Sequence, residues 1–405
     1  MLRYALFLLA IGAVLAGCKD NISTLGSQFY TDTVGIHTSV RSDTGFIRFA
    51  DTLRPFVSTG SADYALTDQT DLVLIGRVSS GTENLESWGL LQFPSLTADS
   101  IPMVTSVRLL LKDFAYKYGD TTNVNVAFNV WTCYNKVTDS TTSIAQSDLS
   151  ASAIGTIDTA FPDTTSYVLP IALDPTATKA VLNESNNAFV ITPQSTMTNV
   201  RAFGSLRNSN VNLVPQLQIV LNDTDTIYRT PVISFHLVHD NSMTPAGEFT
   251  LRGGAGQREH ITLNIAELVD SGILDQFSSV NNATLVLHMD PNSSRLPTSQ
   301  SDAIGPDIVS LGTQDSGAHL LGYGYLSDSL NMIYRFQVRA LVEDWLRNPS
   351  LNLGFELRSE FVTRAFGTET IGVEDNTLNR WSFYGPNCAD TSKRPYLILS
   401  YSKLR

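Results

Sequence analysis

Two histidines and an aspartate stand together in Phe235-His236-Leu237-Val238-His239-Asp240, and imidazole beside carboxylate is metal-ligand chemistry. Three residues apart, they would share a face on a helix. The stretch reads instead as a strand, where such residues point to opposite faces, so no metal site is expected. His288 alternates against Leu285, Leu287 and Met289 and is expected on the outer surface of a sheet. The run Arg252 to Glu259 is glycine-rich, but a phosphate cradle would open a helix and carry a lysine. Here a strand-like Ile261-Thr262-Leu263-Asn264-Ile265 follows, which makes the loop a sandwich corner. His260, with Arg258 and Glu259, belongs to that polar loop. Glycoside hydrolysis needs two carboxyl groups about 5 to 10 Å apart, and no pair is singled out. No serine-centred nucleophile elbow is present. The expectation is a protein with no catalytic residues and no cofactor. Acidic loops such as Asn222 to Thr226 have the oxygen-rich composition that suits a structural Ca²⁺, and composition is their whole support.

Aromatic residues carry the remaining binding chemistry. Sugars present C–H faces that stack on rings, while their hydroxyls need polar partners around the ring. The candidates for glycan contact are Tyr116 and Tyr118, which alternate onto one side, Trp131 and Tyr134, and Tyr323 and Tyr325. Trp131 lies opposite the Val126, Phe128 and Val130 face, which favours its exposure.

At the N-terminus, Arg3 precedes an apolar run from Tyr4 to Ala16, shorter than the roughly 20 residues that cross a bilayer. Small residues follow, as in a cleavage site. The tetrad Leu15-Ala16-Gly17-Cys18 resembles the lipobox of bacterial lipoproteins. The resemblance implies removal of residues 1–17, acylation of Cys18, and a membrane anchor that does not span the bilayer. Lys19 beside Cys18, followed by Asp20, resembles sorting signals for the outer membrane and its outer face. The opening Cys18 to Ser27 is also similar to that of Bacteroidota lipoproteins of about this length.

The chain has 405 residues, a net charge of −12 and only 16% charged residues, with no basic cluster that could neutralise a phosphate backbone. Nucleic acid is therefore not an expected partner. Frequent Ser, Thr, Asn and Asp suit strands and turns. Cys133 and Cys388 read as two separate thiols, with a bridge between the halves as the alternative.

Period-2 strands dominate after a polar tether at 18–32. Val107, Leu109 and Leu111 share a face, as do Val124, Val126, Phe128 and Val130, and then Leu217 and Ile219. Five blocks recur in one order. Leu91-x-Phe93-x-x-Leu96 matches Leu263-x-Ile265-x-x-Leu268, and Val107-x-Leu109-x-Leu111 matches Ala283-x-Leu285-x-Leu287. Ser166 to Leu182 matches Ile333 to Pro349, and Asn187 to Pro193 matches Asn352 to Arg358. Finally Arg201 to Leu221 matches Trp381 to Tyr401, with the same interval from Phe203 to Pro215 as from Phe383 to Pro395. The expected architecture is all-β, two tandem β-sandwich or jelly-roll domains with a few short helices, at 33–225 and 226–405. The clearest helix is Val338 to Asn348, where Leu341, Val342, Trp345 and Leu346 form a stripe.

The block order resembles the DNRLRE-type β-sandwich domain of secreted and surface bacterial proteins. Val342-Glu343-Asp344-Trp345, Asn352 to Leu357 and Arg394 to Tyr401 carry the likeness over roughly 250–405, and 60–222 matches more loosely. The Asp-Asn-Arg-Leu-Arg-Glu string itself is absent, and Phe383-Tyr384-Gly385-Pro386-Asn387 replaces Phe-x-Ser-x-Glu. Together these readings imply a lipid-anchored, surface-exposed outer-membrane protein that binds polysaccharide or acts in adhesion without catalysis. The rival readings are a structural or accessory subunit binding other envelope proteins and, last, a glycan hydrolase.

Overall fold

The computed structural model describes Thr38–Ser39, Ile47–Arg48, Phe56–Val57 and, with short interruptions, residues 71–404. Cys18 and the tether lie outside the described residues. The fold is all-β, built from two large antiparallel sheets, and among the described residues it includes the short α-helices Pro175–Leu182 and Arg339–Arg347.

The first body is an eleven-stranded sheet running from Leu72–Ser80 to Ile233–Asp240. Its inner residues are those the alternation marks: Val107, Leu109, Leu111, Val126, Phe128, Val130, Leu217 and Ile219 are all buried in one core. Val124, expected on the same inner face, is 44% exposed because it precedes the strand Asn125–Cys133. The long strand Val104–Gly119 ties the body together. Its first half pairs with Gln216–Leu221 and Val168–Leu173, and its second half with Asn199–Gly204. A register shift between Arg201 and Phe203 accommodates its bend. Gly76 marks where two strands press closest. A Cβ there would lie 2.3 Å from the Asn199 carbonyl oxygen, and its φ of +151° disfavours other residues.

The second body is a ten-stranded sheet plus the paired strands Glu248–Arg252 and Arg380–Tyr384. Its core gathers Leu285, Leu287, Phe336, Leu397, Leu399, Trp381 and Phe383 with the helix stripe Leu341, Val342, Trp345 and Leu346. In each body one strand lies between two partners followed in sequence by matching elements. Val104–Gly119 lies between Val168–Leu173, which runs into a helix, and Gln216–Leu221. Ser279–His288 lies between Ile333–Gln337, which also runs into a helix, and Tyr396–Leu404. The 3₁₀ turns Val211–Leu213 and Thr391–Lys393 stand at equal offsets after Phe203 and Phe383. They are capped alike, with Asn210 accepting from the Asn212 N–H and Asp390 from the Ser392 N–H.

Sheet membership departs from the expected division at residue 225. The polar stretch 222–231, on which that division falls, opens with the turn of a hairpin joining Gln216–Leu221 to Asp225–Arg229. Asn222 and Asp223 adopt positive φ there, and the Asn222 and Asp223 N–H groups bond to Met103 and Thr105, so turn geometry accounts for this polar stretch. Ile233–Asp240 then adds to the first body by pairing along Glu83–Gln92. Conversely, the early strands Thr38–Ser39, Ile47–Arg48 and Phe56–Val57 pair within the second body. Strand pairing is non-local, so a polar stretch in the sequence need not separate two sheets.

Candidate functional site

Trp131 lies on the strand Asn125–Cys133, facing away from the core that holds Val126, Phe128 and Val130. Opposite it on Ala188–Pro193 is Val190, whose other neighbour is Leu90 of Glu83–Gln92. This outer face is apolar at one end, where Trp88, Leu90, Cys133, Val137, Ile144, Val190, Phe235 and Leu237 form a second cluster. Trp131 stands half-buried at its margin, and its indole N–H donates to Thr192 Oγ1 at 2.9 Å. Thr192 pairs across the strands with Asn129. The Gln194 amide reaches Asn129 Oδ1 at 3.2 Å. Further along, the His239 ring lies 4.7 Å from the Trp88 ring, and the Trp88 indole N–H donates to Glu86 Oε1 at 2.7 Å. Rings, amides, a hydroxyl and a carboxylate therefore share one sheet face. Trp88 is buried within the apolar cluster, so the ring available for stacking is that of Trp131, where Asn129 and Gln194 stand near enough to receive sugar hydroxyls.

The other aromatic candidates divide. Tyr134 follows Trp131's strand and is 42% exposed. Tyr323 and Tyr325 lie on the strand Leu321–Asp328, where they pair with Val309 and Arg335. Tyr116 and Tyr118 do share a side, but that side packs against the other body. Tyr118 is 7% exposed, and its hydroxyl bonds to Glu83 Oε1 at 2.5 Å. The Tyr116 hydroxyl accepts the Leu378 N–H at 2.9 Å. Both are withdrawn as members of a stacking platform with Trp131.

What they join is a buried ionic cluster between the bodies. Arg252, fully buried, donates to Asp240 Oδ2 at 2.6 Å, Glu83 Oε1 at 3.0 Å, the Tyr118 hydroxyl at 3.0 Å and the Leu378 carbonyl at 3.1 Å. Arg295 reaches the other Glu83 oxygen at 2.9 Å. Burial pushes the Tyr118 hydroxyl up to about 12, with Arg252 opposing and Glu83 assisting. Burial also works against the Asp240 carboxylate, yet Arg252 and Ser242 outweigh it and hold its pKa low. The apolar fringe comprises Leu72, Leu74, Val78, Leu85, Val200, Ala202 and Val238 with Ala255 and Leu378. Every charge is used internally, so this is a structural joint.

His236 and His239 do point to opposite faces. His236 is buried, bonds through Nε2 to the Gly254 carbonyl at 3.0 Å, and is lowered to about 4, chiefly by burial. Among the described residues no group of three His, Cys, Asp or Glu side chains is arranged to hold a metal. The glycine-rich loop leaves the strand Glu248–Arg252 and enters Glu259–Ile261, and these two pair with different strands, as a corner requires. Glu259 itself is buried with Oε2 unpartnered, and burial pushes its carboxyl up to about 8. Cys133 and Cys388 are separate buried thiols.

Trp88 and His239 were not singled out as partners of Trp131 in the sequence. Residues 88, 131 and 239 come to one sheet face only through the pairing of four strands.

No family model and no curated protein matches this chain. Among solved structures, a peptide-N(4)-(N-acetyl-β-D-glucosaminyl) asparagine amidase aligns at 12% identity over 81% of this chain and 99% of that one. The TM-score of 0.15 is too low to carry an argument.

Proposed function

We propose that this protein is a lipid-anchored, surface-exposed envelope protein that binds polysaccharide, without catalysis, through the outer sheet face around Trp131. The observation that supports this reading most is the half-buried Trp131 indole at the margin of the outer sheet face, with Asn129, Thr192 and Gln194 beside it. A β-sheet holds such residues at fixed spacing, so little ordering is needed on binding and a weak contact gains specificity. Many copies anchored on one surface would add avidity toward a repeating polymer. Cys18 would carry the lipid, in keeping with the lipobox resemblance.

Affinity electrophoresis through gels containing neutral polysaccharides tests the reading. The protein should be retarded by at least one polymer, and Trp131→Ala should abolish the retardation while leaving the melting temperature nearly unchanged. Retardation identical in Trp131→Ala would sink the assignment of this face. No retardation at all, with envelope proteins co-purifying, would favour a structural or accessory subunit. Incorporation of labelled fatty acid, lost in Cys18→Ala, checks the anchor.

A further inference from the structure

The outer face of the second body carries a set of side chains that the shared strand plan does not require. Val286 is fully buried at its centre, flanked across the strands by Arg335 on one side and Tyr396 on the other. Neighbouring strands lie about 4.8 Å apart, which sets those two positions roughly 10 Å from each other. His288, two residues along, is half-buried with its ring 5.9 Å from that of Tyr396. Lys393, 44% exposed, lies over the Tyr384 ring at 4.7 Å and reaches the Tyr384 hydroxyl at 3.4 Å. Two acids face this group: Asp390, 4.0 Å from Lys393, and Asp290, whose carboxylate bonds to the Tyr384 hydroxyl. The His288 pKa is lowered, first by burial and then by the charges of Lys393 and Arg335, against a backbone contact at Lys393 and the charge of Asp390.

The first body supplies the control. Counting from the matched strands and from the equal Phe-to-Pro interval, the counterparts of Arg335, Tyr396, Lys393 and Tyr384 are Pro170, Gln216, Leu213 and Gly204. Only His288 meets a basic counterpart, Lys112. The fold is thus built equally well without this cationic and aromatic set.

We infer that Arg335, His288 and Lys393, flanked by Tyr396 and Tyr384, form a second binding site, for the sulfate or carboxylate group of an acidic polysaccharide. Guanidinium and ammonium groups supply charge-assisted hydrogen bonds, and the tyrosines supply ring faces for the sugar. That the anion rides on a polysaccharide rests on the function proposed above, whereas the anion site does not. The chain's charge of −12 repels polyanions in general, so retention by one requires a local site.

Gels containing dextran sulfate or polygalacturonate, each compared with neutral dextran, provide the test. The intact protein should be retarded by a charged polymer, and the double variant Arg335→Gln, Lys393→Gln should lose at least fivefold of that retardation. Trp131→Ala should keep it. In parallel, inorganic sulfate should raise the pKa of His288, followed by its imidazole NMR signal, in the intact protein but not in the double variant. Equal retardation of intact protein and double variant, or a His288 titration unmoved by sulfate, would overturn the inference. So would binding to anionic lipid vesicles with no retardation by the polymers. Retardation by neutral polymers alone removes this site and leaves the Trp131 face standing; retardation by charged polymers alone does the reverse.

Discussion

The two bodies repeat one order of strands yet present different surfaces. The strand that carries Trp131 in the first body, Asn125–Cys133, corresponds to Asp307–Gly312 in the second, which contains no aromatic residue. The turn after Phe383 carries Lys393 and leads to Tyr396, while the turn after Phe203 carries Leu213 and leads to Gln216. Inward positions and turn caps are what the two share. A repeated scaffold therefore separates two kinds of demand, because residues that build the sheet recur and residues that face outward are free to diverge.

Disrupting the joint should have the largest effect. Arg252→Ala leaves Glu83 and Asp240 buried without their main cation, at a cost of about 3–5 kcal/mol. Calorimetry should then resolve two transitions, one per body, where the intact protein gives one. A single unshifted transition would show that the bodies do not depend on this cluster.

The next largest effect should be confined to the second body and depend on pH. Glu259 is held neutral, with its carboxyl pushed up to about 8. Its stabilising share is complete below the ordinary carboxyl pKa near 4.5 and is lost as pH rises from there toward 8. The unfolding free energy read from urea titrations should fall over that range by an amount on the order of a few kcal/mol. Glu259→Gln should flatten the fall; an unchanged slope would assign it to other groups.

Smaller and symmetrical effects are expected at the matched caps. Asn210→Ala and Asp390→Ala each remove a side-chain bond to a turn N–H, at a cost of about 1 kcal/mol, and Asp390→Ala removes in addition an exposed bond from the Ser392 hydroxyl. With Ser392→Ala as the background for Asp390→Ala, near-equal shifts in urea midpoint would support structural equivalence, and a large inequality would break it. The smallest effect on stability should come from Trp131→Ala, within about 1 kcal/mol, since the side chain is half-buried at a sheet margin.

Much of this arrangement was legible in the sequence because strand alternation and turn chemistry are local. Leu217 and Ile219 face inward as their spacing requires, and the Phe-to-Pro intervals bracket turns of the same kind. Alternation gives the side of a strand, however, and not what covers that side. Tyr118 shares its side with Tyr116 as expected, but the second body lies there, and a hydroxyl that could have met ligand meets Glu83. The Arg252 cluster and the Trp88, Trp131 and His239 face are assembled from distant strands, so neither has a sequence motif. The polar stretch 222–231 reads as a boundary in the sequence because a turn between two strands of one sheet looks like one between two sheets.

The chain visits the second body before it builds the first. Thr38–Ser39 pairs with Lys403 and Leu404, and Ile47–Arg48 pairs with Tyr396 and Leu397 of the same closing strand. Tension applied on the N-terminal side of Thr38 would therefore load the strand Tyr396–Leu404 first, peeling short two-residue contacts one after another. The body that bears Trp131 lies beyond those contacts along the chain and would be spared until they had given way.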